Sequence, residues 1–177
     1  AERLVPSLGS LDALFRERNP VLVVLAGSNG AGKTTFYETF LEPRGLPFVN
    51  ADRIAATLLP HSPNAVSLQA AEAARLLRED LIDRKHTFVM ETVFSDRKGT
   101  KLEELRDAQR QGYAVVLIFI GIVSRELSEA RVQGRVAHGG HDVQRELIRE
   151  RFPRTLANLR RALAFVDVAL LLDNSSA

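Results

Sequence analysis

The sequence contains no cysteine and no tryptophan, and aromatic residues make up only 6% of its 177 positions. Without cysteine, disulfide bonds, cysteine–zinc sites and thiol chemistry are excluded. Long apolar runs are also lacking, because the longest, such as residues 115–120, are far shorter than the roughly 20 residues of a membrane-spanning helix. No charged and then apolar leader begins the sequence. We therefore expect a cytoplasmic protein that makes no membrane contact.

The rest of the composition is typical of a folded chain. Hydrophobic residues make up 45% and charged residues 26% of the sequence, which excludes a disordered or collagen-like protein. A length of 177 residues suits one compact domain with a full-sized core. We therefore predict a single domain over residues 1–177.

Charge is nearly balanced, with 24 basic and 22 acidic residues and a net charge of +2. This excess is too small to indicate a nucleic-acid partner. Twenty of the basic residues are arginine, and nine of these lie between residues 125 and 161, where only five acids occur. An arginine-rich segment of this kind suits phosphate recognition, and it equally suits a solvated helix face.

Apolar runs that fit buried strands alternate along the chain with segments of helical periodicity. This alternation predicts an α/β fold in which helices cover both faces of a parallel sheet. The predicted strands are residues 21–25, 48–49, 87–90, 114–120 and 166–172, and the predicted helices are residues 10–18, 33–41, 64–84, 98–111, 124–137 and 142–162.

A glycine-rich motif follows the first predicted strand. It matches the phosphate-loop pattern G-x-x-x-x-G-K-[ST] without a gap, in the sequence Gly27-Ser28-Asn29-Gly30-Ala31-Gly32-Lys33-Thr34. In this pattern the glycines let backbone N–H groups surround phosphate oxygens, and a helix N-terminus adds positive charge. We expect Lys33 to reach the β- and γ-phosphates and the Thr34 hydroxyl to bind Mg²⁺. The motif therefore predicts a nucleoside triphosphate site.

A carboxylate follows the second predicted strand. Because ligands bind beyond the carboxyl ends of the strands in an open α/β sheet, Asp52 is expected to face Lys33 across the cleft. There it can accept the proton of a substrate hydroxyl that attacks the γ-phosphate. Alternatively, Asp52 is only the N-cap of a helix that starts at Arg53. Arg53 itself is a candidate substrate contact or a residue of the helix surface.

A second carboxylate, Glu91, ends the strand that follows. An unpaired charge at a buried strand end is unfavourable, so Glu91 is expected to have a partner. That partner is a substrate hydroxyl or the water shell of Mg²⁺ if Glu91 is functional. It is a nearby arginine if Glu91 forms a structural ion pair. Thr92 is a weaker candidate for the same substrate pocket.

The arginine-rich segment predicts a helical lid over residues 124–160, hinged at Gly139-Gly140. Such a lid would bring arginines onto the phosphates during transfer. The alternative is a solvated hairpin whose arginines pair with Glu146 and Glu150. The lid candidates are Arg131 and Arg135 on one helix, and Arg151 and Arg154 on the next.

Together these residues resemble the zeta toxin family, the small kinases of bacterial toxin–antitoxin systems. The likeness covers about residues 22–175, and it looks closest to the shorter, Gram-negative-type branch. The matching pieces are residues 26–35, which extend the phosphate loop to Thr35, residues 50–55, Glu91-Thr92, Arg131-Val132, Arg135-Val136, Gly139-Gly140-His141, Arg151-Phe152, Asn158-Leu159 and Asp173-Asn174-Ser175.

The resemblance implies a P-loop kinase-like fold with a five-stranded, mostly parallel sheet and a helical lid. It also implies transfer of the ATP γ-phosphate to the 3′-hydroxyl of UDP-N-acetylglucosamine, with a protein antitoxin as a partner. By the family pattern Asp52 would be the base, and Lys33 and Thr34 would hold ATP and Mg²⁺. Glu91 would contact the substrate, and lid arginines, of which Arg135 is the expected catalytic one, would clamp the phosphates.

The sequence departs from the family pattern at two positions: Gln144 stands where this branch usually has proline, and Pro153 is expected to interrupt the last long helix. The long C-terminal extension of larger zeta toxins is absent as well. A kinase for another hydroxyl acceptor, such as an antibiotic, a nucleoside or a sugar, therefore stays open. So does a non-catalytic nucleotide-dependent regulator, although the strand that ends at Gly121 carries no acidic residue typical of a hydrolysing site.

Overall fold

A computed structural model describes residues 8–137 and 143–176 of the chain. Its strands form one five-stranded sheet in the order β2-β3-β1-β4-β5, and every neighbouring pair is parallel. The strands are β1 (Val21–Ala26), β2 (Phe48–Val49), β3 (Phe88–Thr92), β4 (Ala114–Gly121) and β5 (Val168–Asp173). The helices are α1 (Leu8–Glu17), α2 (Lys33–Phe36), α3 (Ala51–Leu58), α4 (Ser67–Asp83), α5 (Thr100–Arg110), α6 (Arg125–Ala137) and α7 (Arg145–Ala162).

The central strand β1 is buried along its whole length because apolar layers cover both faces of the sheet. Its side chains alternate between these layers, as the two-residue period of a strand requires. Leu22 and Val24 lie in one apolar cluster, which includes residues of α4 and α5. Val21 and Val23 lie in the other, together with residues of α1 and α2. The predicted α/β architecture with helices on both faces is thereby confirmed.

Several elements differ from their predicted bounds. β3 extends to Thr92, so that Glu91 lies within the strand rather than after it. The helix predicted from residue 33 to 41 is α2 followed by a π-helical turn, Tyr37–Leu41. The long helix predicted from residue 64 begins as a 3₁₀ turn, Pro63–Val66, before α4.

Pro153 does not break the last long helix, since α7 runs through Pro153 to Ala162. A kink at the proline stays a prediction. A proline removes one backbone N–H donor from a helix, but tertiary contacts on both sides hold α7 in place. Phe152 packs against an apolar cluster, and the Thr155 hydroxyl donates to the carbonyl of Val93, 2.8 Å away. These contacts favour the continuous helix over a break.

Candidate active site

The phosphate loop connects β1 to α2 at the centre of the sheet, with β3 on one side of β1 and β4 on the other. Lys33 lies in the first turn of α2, and only 7% of its surface is exposed. Its ammonium group donates to the carbonyls of Gly27 and Ser28, at 2.9 and 3.0 Å. The lysine of the motif therefore lies folded over the loop, while Thr34 and Thr35 are exposed at the start of the helix.

Glu91 is brought to Lys33 by the register of the sheet. It pairs with Leu25 on β1, two residues before the phosphate loop begins. One carboxylate oxygen, Oε1, lies 3.8 Å from the Lys33 Nζ. The other, Oε2, accepts a 2.8 Å hydrogen bond from the Asn50 side-chain amide. A half-buried carboxylate therefore connects the phosphate loop to the end of β2.

Asn50 follows Val49, which pairs with Met90, the residue before Glu91. This register explains why the Asn50 amide reaches the Glu91 carboxylate. The Asn50 Oδ1 accepts from the backbone N–H of Arg53 at 3.0 Å, so Asn50 is the N-cap of α3. The alternative that Asp52 caps this helix was wrong, because the helix begins at Ala51, two residues earlier than that role requires.

Asp52 lies in the first turn of α3, where the helix dipole stabilises a negative charge. Its side chain is exposed. Within residues 8–137 and 143–176, no side chain forms a hydrogen bond or an ion pair with the Asp52 carboxylate. The carboxylate is thus available to a substrate hydroxyl.

Arg53, the next residue, contacts two aromatic rings and a carboxylate, and none of these belongs to Glu91. Its guanidinium lies 5.4 Å from the ring centres of both Tyr37 and Phe48, which stack on each other. It also lies 3.7 Å from the Glu42 carboxylate. Burial, with a contribution from Glu42, raises the pKa of the Tyr37 hydroxyl. Through these contacts Arg53 holds α3 against the π-helical turn.

Thr92 ends β3 beside Ala26. Its hydroxyl accepts a 2.9 Å hydrogen bond from the N–H of Phe94, a buried residue with a φ of 63°. Positive φ is unfavourable for a phenylalanine, so this turn needs support from its surroundings. α7 supplies it, because Asn158 donates from its amide to the Phe94 carbonyl at 3.0 Å.

The two helices of the predicted lid, α6 and α7, differ in how closely they approach the phosphate loop. α6 packs directly on it, because a Cβ built on Gly30 would lie 3.1 Å from the Cβ of Arg131. α7 passes the same edge, and its Phe152 and Thr155 line a small cavity with Ser28. Arg135 lies on α6, but its side chain falls outside the described structure, as does the Gly139-Gly140 hinge.

The surface pairing expected of a solvated hairpin also occurs. Arg149 donates to Glu129 across the two helices at 2.8 Å, and Arg154 lies 3.6 Å from Glu150 on its own helix. The Nε of Arg154 is nevertheless a buried donor that has no hydrogen-bond partner in the described part of the chain. Arg151, three residues earlier, is partly exposed. The arginines of α7 therefore combine surface pairing with at least one unused donor.

The described residues contain no group of three or more acidic or histidine side chains able to hold a metal ion by themselves. A magnesium ion at this edge would therefore need ligands from a bound nucleotide as well as the protein. The exposed hydroxyl of Thr34, at the start of α2, is a suitable protein ligand. The described helices also include none that is long and apolar enough to cross a membrane.

Three polar residues of the site were not assigned a role from the sequence. Asn50 had a recognisable signal, since asparagine before a helix is a favoured N-cap. Ser128 and Asn174 had none, because each contacts the phosphate loop from a distant part of the chain.

Comparisons with known proteins agree with this geometry. A family model described as Zeta toxin matches residues 10–175. An uncharacterized protein of Haemophilus influenzae is 28% identical over 130 residues, which cover 73% of this chain and 91% of that protein.

Two solved structures share the fold at low sequence identity. The PezAT toxin–antitoxin system of Streptococcus pneumoniae matches with a TM-score of 0.66 and 17% identity, over 94% of this chain and 76% of that one. The complex AvrRxo1-ORF1:-ORF2 with ATP matches with a TM-score of 0.69 and 19% identity, over 92% of this chain and 53% of that one. The five-stranded parallel sheet and its phosphate loop are thus those of a P-loop kinase fold.

Proposed function

Because the chain belongs to the zeta toxin family, we propose that it is an ATP-dependent phosphotransferase whose acceptor is a hydroxyl of a UDP-amino sugar, the 3′-hydroxyl of UDP-N-acetylglucosamine. The observation that carries this proposal is the contact chain from Lys33 through Glu91 to Asn50. It joins the phosphate loop to the helix that presents the exposed Asp52 carboxylate, which no described side chain pairs with. A nucleotide phosphate and a hydroxyl acceptor would meet between these two groups.

On the nucleotide side, the backbone N–H groups of the loop, from Gly27 to Thr35, would surround the phosphates of ATP. Lys33 would exchange its hydrogen bonds with the loop carbonyls for bonds with the β- and γ-phosphates. When bound by the Thr34 hydroxyl and the nucleotide, Mg²⁺ supplies positive charge that offsets the charge of the phosphates.

On the acceptor side, Asp52 would accept the proton of the attacking hydroxyl. As the new oxygen–phosphorus bond forms at the γ-phosphate, the bond from that phosphorus to the bridging oxygen breaks, and ADP leaves with its electron pair. Glu91 would hold the acceptor hydroxyl or the water shell of Mg²⁺ while it keeps Lys33 in place. Arg53 and Thr92, which have structural contacts of their own, would border the acceptor pocket.

The lid would supply positive charge to the transferred phosphate. Arg131 is well placed for this, since its Cβ lies next to Gly30. Arg135, one turn further along α6, would complete the charge compensation as the catalytic lid residue. Arg151 and Arg154 would approach from α7, where the buried Nε of Arg154 has no hydrogen-bond partner among the described residues.

The proposal also covers the protein's partner, its location and its domain organisation. The PezAT structure is described as a toxin–antitoxin system, and by analogy we propose a protein antitoxin as the partner of this chain. The nearly balanced charge gives no support to a nucleic-acid partner. We further propose a single cytoplasmic domain whose lid covers residues 124–160.

The test is an acceptor panel. The protein is incubated with Mg·ATP and UDP-sugars, nucleosides, free sugars or aminoglycosides, and ADP release and product mass are followed. We expect phosphorylated UDP-N-acetylglucosamine, and its loss in Asp52→Asn but not in the control Asp80→Asn, an exposed carboxylate of α4. Phosphorylation of another acceptor class would replace the substrate assignment. Acceptor-independent ATP turnover that is unchanged in Asp52→Asn would refute the kinase mechanism.

A further inference from the structure

The carbonyl groups of the phosphate loop all need donors if its N–H groups are to face a phosphate. Because a peptide's N–H and C=O point in opposite directions, N–H groups that converge on an anion leave carbonyls directed outwards. Lys33 donates to the first two of these carbonyls, those of Gly27 and Ser28. The same lysine is the proposed phosphate contact, so its hold on the loop competes with that task.

A second donor comes from α6. Ser128 is completely buried, and its hydroxyl donates to the Asn29 carbonyl at 2.5 Å across 99 residues of sequence. The helix approaches so closely at this point that a Cβ on Gly30 would lie 3.1 Å from the Ser128 carbonyl oxygen. With a φ of 73°, Gly30 has a backbone conformation that a side chain would also oppose. This contact fixes the apex of the loop against the helix.

A third donor comes from the segment after β5. The Asn174 side-chain amide donates to the Ala31 carbonyl at 3.0 Å, across 143 residues of sequence. The backbone N–H of Asn174 is itself bonded to the Gly121 carbonyl at the end of β4, which fixes the position of this residue. A Cβ on Gly32 would lie only 2.7 Å from the same amide nitrogen, so the motif glycine is needed to admit it.

We infer that Ser128 and Asn174 are positioning residues for nucleotide binding, which hold the phosphate loop in its anion-binding conformation through the Asn29 and Ala31 carbonyls. Neither side chain has a competing role at the phosphates, so both can keep the loop in place when Lys33 turns towards the nucleotide. The inference rests on the nucleotide site of the proposed function, but it does not depend on the acceptor.

The test measures the Kd for Mg·ADP by calorimetry, without any acceptor, together with the midpoint of thermal unfolding. Ser128→Ala and Asn174→Ala are each expected to raise the Kd about fivefold, as the loss of one hydrogen bond would. Ser124→Ala is the matched control for α6, because its hydroxyl accepts from the Leu127 N–H and lies outside the loop. Ser175→Ala is the control beside Asn174, since its hydroxyl donates to Asp173.

The possible outcomes distinguish this inference from the proposed function. We expect Ser124→Ala and Ser175→Ala to bind Mg·ADP as the unmodified protein does, even where their unfolding midpoints fall. If Ser128→Ala and Asn174→Ala lose thermal stability but keep the original Kd, their role is only structural and the inference fails. If the acceptor panel yields no product while both variants weaken ADP binding, the proposed reaction fails and the inference stands. An unmodified protein that binds no Mg·ADP would overturn both.

Discussion

Asn50 allows the link between the two halves of the site to be tested separately from helix capping. Its Oδ1 accepts from the Arg53 N–H, and its amide donates to Glu91. Asn50→Ala removes both hydrogen bonds. Asn50→Asp keeps the first, because aspartate caps helices as well as asparagine does, but it replaces the second with repulsion between two carboxylates.

The size of each effect follows from the local structure. The N-cap is worth about 1 kcal/mol in free energy of unfolding. A hydrogen bond to a charged carboxylate is worth about 2 kcal/mol, and the full value applies here because Asn50 is only 7% exposed. We therefore expect Asn50→Ala to lower the free energy of unfolding by about 3 kcal/mol. Asn50→Asp, which retains the cap, should lower it by about 2 kcal/mol at neutral pH.

The Asn50→Asp variant should also acquire a pH dependence of known sign. Two carboxylates in hydrogen-bond contact share a proton, which raises one pKa of the pair above its value in the unfolded chain. The folded variant then takes up a proton, so its stability is greatest in acid and declines as the pH rises through the raised pKa. Its deficit relative to the unmodified protein should therefore shrink at mildly acidic pH.

The assay is urea denaturation of the unmodified protein, Asn50→Ala and Asn50→Asp at mildly acidic and mildly alkaline pH. Phosphotransfer is measured on the same samples. Since Glu91 lies 3.8 Å from the Lys33 ammonium, we expect kcat/KM of Asn50→Asp to fall about tenfold or more at alkaline pH, and to recover partly in acid. The reasoning is refuted if Asn50→Asp matches the unmodified protein in both stability and activity at alkaline pH.

Three further predictions concern the fold and are measured by urea denaturation. Burial alone would raise the pKa of Glu104, but the charges of Lys101 and Arg78 lower it below its ordinary value. The stabilisation it provides is thus present above that ordinary value and lost as the pH falls through the lowered pKa, and Glu104→Gln should cost about 2 kcal/mol at neutral pH and less in acid. Thr155→Val should cost about 1 kcal/mol because the buried hydroxyl donates to the carbonyl of Val93, in the loop after β3. Leu117→Ala, at a fully buried position of β4, should cost about 3 kcal/mol.

Each of these three predictions would be contradicted by a specific result. A constant deficit of Glu104→Gln across the acid range would show that its charge is not what stabilises the fold. A Thr155→Val variant as stable as the unmodified protein would show that the hydroxyl bond contributes nothing. A Leu117→Ala variant as stable as the original would contradict the assignment of β4 to the centre of the core.

The sheet was predictable because its central strands are buried on both faces. β1 and β4 are uninterrupted apolar runs, and glycine-rich or polar segments end each of them. Element ends were harder to predict, because they depend on local geometry. Asn50 and Asp52 are separated by about half a helical turn, and both residue types are good N-caps. The sequence alone therefore does not decide which of them caps α3.

The candidate site likewise contains some features that could be predicted from the sequence and others that could not. The phosphate loop is a local motif, so its sequence alone indicated its chemistry. Glu91 was expected to have a partner at the end of its strand, but the expected structural partner was an arginine. The register of β3 against β1 instead brings Glu91 to 3.8 Å from Lys33. The bonds of Ser128 and Asn174 to the loop have no local pattern, since each depends on where α6 and β5 pack in the finished fold. The continuity of α7 through Pro153 has a related cause, because packing overrides a local helix-breaking preference.

The most direct test of the central claim is transfer of the γ-phosphate itself. The protein is supplied with Mg·ATP labelled at the γ-phosphate and with UDP-N-acetylglucosamine, and the label is followed into products separated by chromatography. The account predicts label on the sugar nucleotide, at the 3′-position by fragmentation, and none with Asp52→Asn. Label that appears only as free inorganic phosphate, at the same rate with and without the sugar nucleotide and in both proteins, would contradict it.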